Sequence, residues 1–145
     1  MRTTMRSMAV LMTIFAAGFG LGQVFDGATT ANAQAPKVFE LRTYTAPEGK
    51  LPNLLARFRD DTLRIFEKHG MHNVAYWVPQ DTPASENTLI YVISHASRQA
   101  AENSWAAFRA DPEWARVAEA SQVDGRIVSN VESVFMQATE FSPMQ

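Results

Sequence analysis

Val38–Thr45 reads VFELRTYT, with Phe39, Leu41 and Thr43 pointing one way along an extended chain and Glu40, Arg42 and Tyr44 the other. That period of two predicts a strand. After the turn APEGK the period changes. Leu51, Leu54, Leu55, Phe58, Thr62, Ile65 and Phe66 recur at steps of three and four, which predicts a helix over 51–69 with one apolar stripe. Gly70 is placed to stop it in the left-handed conformation. Asp60 and Arg64 are spaced for an i,i+4 pair on its wet side.

The rest of the chain continues the alternation of periods. MHNVAYWVP predicts a second strand ending at Pro79, QDTPASEN a loop, and TLIYVISHA a third strand, apolar enough to sit centrally. Ser97 is an N-cap for a helix over 98–110, with Ala101, Trp105 and Phe108 inward. Asp111-Pro112-Glu113 restarts a short helix to about Ala120, with an N-cap acid and proline at N1. Trp114 is expected to lock it down. IVSNVESVFMQAT is the last strand. The order β-α-β-β-α-β makes an α+β, ferredoxin-like domain: two helices on one face of a four-stranded antiparallel sheet. On this reading Phe39 and Leu41 go to the helices and Glu40, Arg42 and Tyr44 to the opposite face. The third strand is apolar on both sides, so a second sheet, from an identical chain, is expected to cover the other face and form a dimeric α/β barrel.

The 145 residues allow one ordinary domain. The first third reads differently. Arg2 and Arg6 precede an apolar run, Met8–Phe19, and Ala31 and Ala33 give an A-x-A pattern. Residues 1–33 are therefore read as a signal peptide cleaved between Ala33 and Gln34, making the protein secreted or periplasmic. An uncleaved membrane anchor and a mitochondrial transit peptide are the alternatives. Residues 34–37 form a short linker, 38–138 the domain and 139–145 a C-terminal tail. Of 13 basic residues cleavage removes Arg2 and Arg6, leaving 11; of 15 acidic it removes Asp26, leaving 14, a net −3. That argues against general nucleic-acid binding. No later stretch is apolar for long enough to span a membrane. Cysteine is absent, which excludes disulfides, thiolate nucleophiles, iron–sulfur sites and Cys-based zinc sites.

FELRTYT at the start of the domain, EGKLPNLLARF, HGMHNVAYW, and FRADPEWARV before the final strand resemble the NIPSNAP domain, over roughly Val38 to Phe135. The resemblance implies a dimeric α/β barrel built from ferredoxin-like units. It implies no reaction, since the family has none firmly assigned. Similar domains often carry a His and a Trp in the third strand, where Tyr91 and Ile93 stand here.

The candidate site follows from the barrel. Glu40, Arg42 and Tyr44 would line the space between two sheets, with Arg42 gripping a carboxylate or enolate and Tyr44 donating a hydrogen bond or a proton. The bland alternative is a solvated row in which Arg42 pairs with Glu132 across strands. His95 shares the parity of Leu89, Tyr91 and Ile93 and is the best general-base candidate. The ligand-binding set is thus Glu40, Arg42, Tyr44, Tyr91, His95 and Glu132, with His95, Tyr44 and Arg42 as catalytic candidates. His69 and His72 do not make a metal site, because Gly70 breaks the helix between them; neither metal nor cofactor is expected. Tyr76 or Trp77 must face away from the helices. Three functions are open: a homodimeric binder of a small, partly apolar ligand; a cofactor-independent oxygenase or isomerase; and an interaction module with no pocket.

Overall fold

The structure is a computed structural model and describes residues 37–144. The leader and its cleavage point lie outside the described residues. The described chain runs β1 (Val38–Thr45), α1 (Leu51–Arg57), a π-helical turn (Phe58–Thr62), α2 (Leu63–Lys68), β2 (His72–Trp77), α3 (Ala84–Asn87), β3 (Thr88–His95), α4 (Arg98–Ala110), α5 (Pro112–Ala120) and β4 (Asn130–Gln137). The four strands form one antiparallel sheet in the order β2-β3-β1-β4. This is the expected ferredoxin-like topology, with β3 and β1 central. Among the described residues no helix is long and apolar enough to cross a membrane.

Local signals act as their chemistry requires. Ser97 accepts from the Ala100 N–H and Asp111 from the Glu113 N–H, so both expected N-caps form. Gly70 ends α2 at φ +75°, a conformation a side chain would strain. The 51–69 helix differs in one respect. Its middle turn is π-helical: the Leu63 N–H reaches back to the Phe58 carbonyl, while Thr62 Oγ1 donates to the Arg57 carbonyl at 3.1 Å. The added residue shifts the phase of the stripe after Phe58, and Arg57, Phe58 and Thr62 are all buried at this point. The expected Asp60–Arg64 pair does not form. Asp60 takes Arg59 instead, and Arg64 crosses to Glu113 on α5 at 2.7 Å. The loop after β2 contains the one-turn helix α3, and β4 begins at Asn130 rather than Ile127, which is instead a buried core residue.

The two faces of the sheet are the reverse of those expected. Tyr44 pairs with Leu89, Arg42 with Tyr91 and Glu40 with Ile93, and all six face the helices. Leu54, Phe58, Phe66, Phe108, Leu89, Tyr91 and Ile93 form the core there. Phe39, Leu41 and Thr43 lie on the other face. Alternation fixes which residues share a side but not which side the helices take; the register with apolar β3 decides it, and the polar row is drawn in because the helices bring partners for it. Tyr76 stacks on Tyr91 at 5.2 Å, leaving Trp77 to the opposite face, 51% exposed.

Candidate functional site

Glu40 is the hub of the helix-covered face. Its carboxylate is 1% exposed, yet all its lone-pair directions are used. Oε1 accepts from Arg42 Nη1 (2.6 Å) and from Ser133 Oγ on β4 (2.7 Å). Oε2 accepts from Trp105 Nε1 on α4 (2.7 Å) and from His95 Nε2 at the end of β3 (2.9 Å). Burial alone would raise the carboxyl pKa, but the bonds from His95, Ser133, Trp105 and Arg42 outweigh it and hold it at about 2. Glu40 is thus a fixed anion with no vacant lone pair, which removes it as a general acid or base.

Arg42 extends from this anion. Burial opposes its charge, but the phenol oxygens of Tyr44 and Tyr91 and the Glu40 carboxylate prevail and raise its pKa. The guanidinium lies over the Trp105 ring at 4.3 Å, and Nη2 is 3.5 Å from the Tyr44 hydroxyl. Burial also raises the pKa values of Tyr91 and Tyr76, so both stay protonated. Since Glu40 only accepts, His95 carries a proton on Nε2. Its Nδ1 is buried with no partner.

Beside this network, between α4 and the edge strand β4, lies a cleft of about 480 Å³. Trp105, Phe108 and Phe135 give it apolar walls; Arg42, Arg98 and Arg109 give it charge. Arg98 lies over the Phe135 ring at 3.5 Å. Of the two carboxylates at the cleft, Glu40 is saturated and Glu102 is on the exposed side of α4. The arrangement suits a partly apolar anion: guanidinium donors at the floor and rim, rings on the sides.

Of the six residues expected to bind a ligand, five converge: Glu40, Arg42, Tyr44, Tyr91 and His95. They do so between sheet and helices rather than between two sheets. His95 and Tyr91 sit behind the cleft, not in its wall. Glu132 does not join. Its Cα pairs with Thr43, so its side chain is on the opposite face, and the Arg42 neighbour on β4 is Ser133. Trp105, Ser133, Arg98 and Phe135 were not anticipated. Trp105 had a legible signal, because an inward indole needs an acceptor for its N–H. His69 and His72 serve different carboxylates, Asp111 at 2.7 Å and Glu67 at 3.0 Å.

A four-stranded antiparallel sheet covered by helices on one face is an α+β, ferredoxin-like fold. The NIPSNAP family model matches residues 39–143, and the chain belongs to that family. A NIPSNAP family protein of unknown function from Agrobacterium tumefaciens superposes with a TM-score of 0.66 at 23% identity, covering 77% of this chain and 96% of that one. A monooxygenase from Streptomyces coelicolor in complex with nanaomycin D gives 0.54 at 15% identity, covering 79% and 97%. SnoaB, a cofactor-independent oxygenase from Streptomyces nogalater, gives 0.51 at 16%, covering 75% and 99%. At these identities the likeness is one of fold. No curated protein matches the chain.

Proposed function

We propose that this protein is an exported homodimer that binds a small, partly apolar anion in the cleft between α4 and β4. The observation that carries the reading is the pairing of three guanidiniums with aromatic walls around one saturated carboxylate. Such a site has positive charge left over for a ligand. The homodimer rests on the apolar open face, where Trp77, Val134 and Met136 are exposed. Export rests on the leader read from the sequence. Native mass spectrometry of the chain from Gln34 tests both parts: a dimer carrying a co-purified anion is expected, with the added mass lost in Arg42→Met. A ligand-free monomer would remove the reading.

A second reading, a cofactor-independent oxygenase, draws on the two Streptomyces neighbours and on His95. Glu40 orients the imidazole, and its buried Nδ1 has no partner; because His95 sits behind the cleft wall, the base role requires a substrate that reaches past that wall. Oxygen uptake over a naphthol that stops in His95→Gln would favour it. Uptake equal in the two proteins, or none in either, would leave the binder.

A further inference from the structure

On the other side of the helical layer, between α1 and α5, lies a second cleft of about 520 Å³. Arg57 stands in its wall. The residue is 8% exposed, and no carboxylate pairs with its guanidinium among the described residues. Its Nε–H is buried with no acceptor. The group lies by the rings of Trp114 of α5 at 5.1 Å and Phe58 at 6.0 Å, with the phenols of Tyr44 and Tyr91 in electrostatic reach. The contrast with Arg42 is direct, because Arg42 has the Glu40 carboxylate and Arg57 has no carboxylate among the described residues. A buried guanidinium without an anion is costly, and burial accordingly lowers its pKa. Arg57 closes α1 on the side of buried Leu51 and Leu54, and its backbone carbonyl accepts from Thr62 Oγ1 in the π-helical turn that follows.

We propose that this cleft is a second ligand site, in which Arg57 receives the carboxylate of a singly charged, partly apolar acid. Two features narrow the chemistry. Ala56, Val117 and Val123 give the cleft apolar surface, which suits a hydrocarbon or aromatic body. Asp60, Asp61 and Asp124 line it against two cations, Arg57 and Arg116, a balance that disfavours a multiply charged phosphate more than one carboxylate held by Arg57. Arg57 supplies paired N–H donors in the geometry a carboxylate accepts, including the Nε–H that now lacks an acceptor.

Titration of the isotope-labelled protein with hexanoate, and separately with inorganic phosphate at matched ionic strength, tests this by nuclear magnetic resonance. Hexanoate is expected to shift the Arg57 Nε–H and the Trp114 indole N–H saturably, with phosphate leaving both in place. Shifts confined to Arg42 and Trp105 would mean that the acid binds only in the first cleft, and the proposal falls. It falls equally if neither pair moves or if phosphate acts like hexanoate. Arg57→Met keeps the apolar stem and removes the charge; it should weaken hexanoate binding at Trp114 at least about tenfold while leaving shifts at Trp105 unchanged. Unloaded Arg57→Met should also melt no lower than the wild type, because it no longer buries a lone charge. A variant that melts lower and still binds would make Arg57 a packing residue and overturn the assignment.

Discussion

The two faces of this sheet carry opposite chemistry, and the assignment runs against simple expectation. The face under the helices holds a carboxylate, a guanidinium, an imidazole, a serine and a row of phenols. The open face holds Leu41, Ile90, Val92, Val134, Met136 and Trp77, several of them substantially exposed. At one end the C-terminal residues Ala138–Met144 lie by Phe39 and Val92, which are both 7% exposed. The covered face satisfies its carboxylate fully, while Arg42 Nε, Tyr91 OH and His95 Nδ1 are buried there without a partner. Glu40 is tolerated in the interior because four donors from four places in the chain converge on it. Among the described residues nothing comparable covers Trp77, Val134 and Met136, which are left exposed on the open face.

The contrast breaks first at Glu40. Glu40→Ala removes the acceptor for four donors and leaves the Arg42 guanidinium buried without its anion. Urea denaturation should show a loss of about 3–5 kcal/mol, as when one member of a buried pair is deleted. A loss under about 1 kcal/mol would mean that water reaches these donors and that the hub does not hold the two layers together.

Titration sharpens the same point. The folded Glu40 carboxyl is held at about 2, below its ordinary 4.5. A depressed acid contributes stability that is complete above the unfolded pKa and disappears as pH falls through the folded one. The contribution should therefore be full above about pH 4.5 and fade towards pH 2, amounting to as much as about 3 kcal/mol. Asp111, bonded by Lys68 and His69, is depressed as well and adds to acid sensitivity in the same direction. The difference between wild type and Glu40→Gln isolates the hub, since only the Glu40 part of the acid slope should vanish. Parallel slopes in the two proteins would contradict the assigned protonation state.

A smaller effect is expected at Trp105, the donor that α4 contributes. Trp105→Phe keeps an aromatic ring over Arg42 but deletes the N–H to Glu40. Loss of one hydrogen bond to a charged group should cost about 1.5–3 kcal/mol by the same denaturation measurement. It should also weaken anion binding in the first cleft. An unchanged midpoint would indicate that α4 is held by Phe108 and Trp114 packing alone.

These residues also mark how far the sequence can be read. Periodicity is local, so the strands, the helix spanning Leu51–Phe66, the caps at Ser97 and Asp111 and the stop at Gly70 were all legible, and with them the topology. The sidedness of β1 was not, because it depends on register with β3 and on an indole 65 positions away. Apolar periodicity passes over Arg57 because it is charged, although it lies three residues after Leu54 on the buried side of α1. Convergence of Glu40, Arg42, Tyr44, Tyr91 and His95 was legible from shared parity on two strands. Parity also excludes Glu132, once β4 is known to pair Ser133 with Arg42.

Glu132 therefore supplies the weakest and most discriminating comparison. It and Glu40 are glutamates of one sheet, yet Glu132 is exposed and, among the described residues, accepts only from Asn130 Nδ2 at 3.3 Å, a neighbour two positions away. Glu132→Ala should change stability by no more than about 0.5 kcal/mol and leave the acid slope and the first-cleft shifts intact. If it instead cost as much as Glu40→Ala, the open face would hold a polar network of its own, supplied across the sheet-to-sheet contact by a second copy. Repeating the measurement over a wide range of protein concentrations tests this against the proposed dimer: an intrinsic effect stays constant, and one that depends on a second copy disappears on dilution.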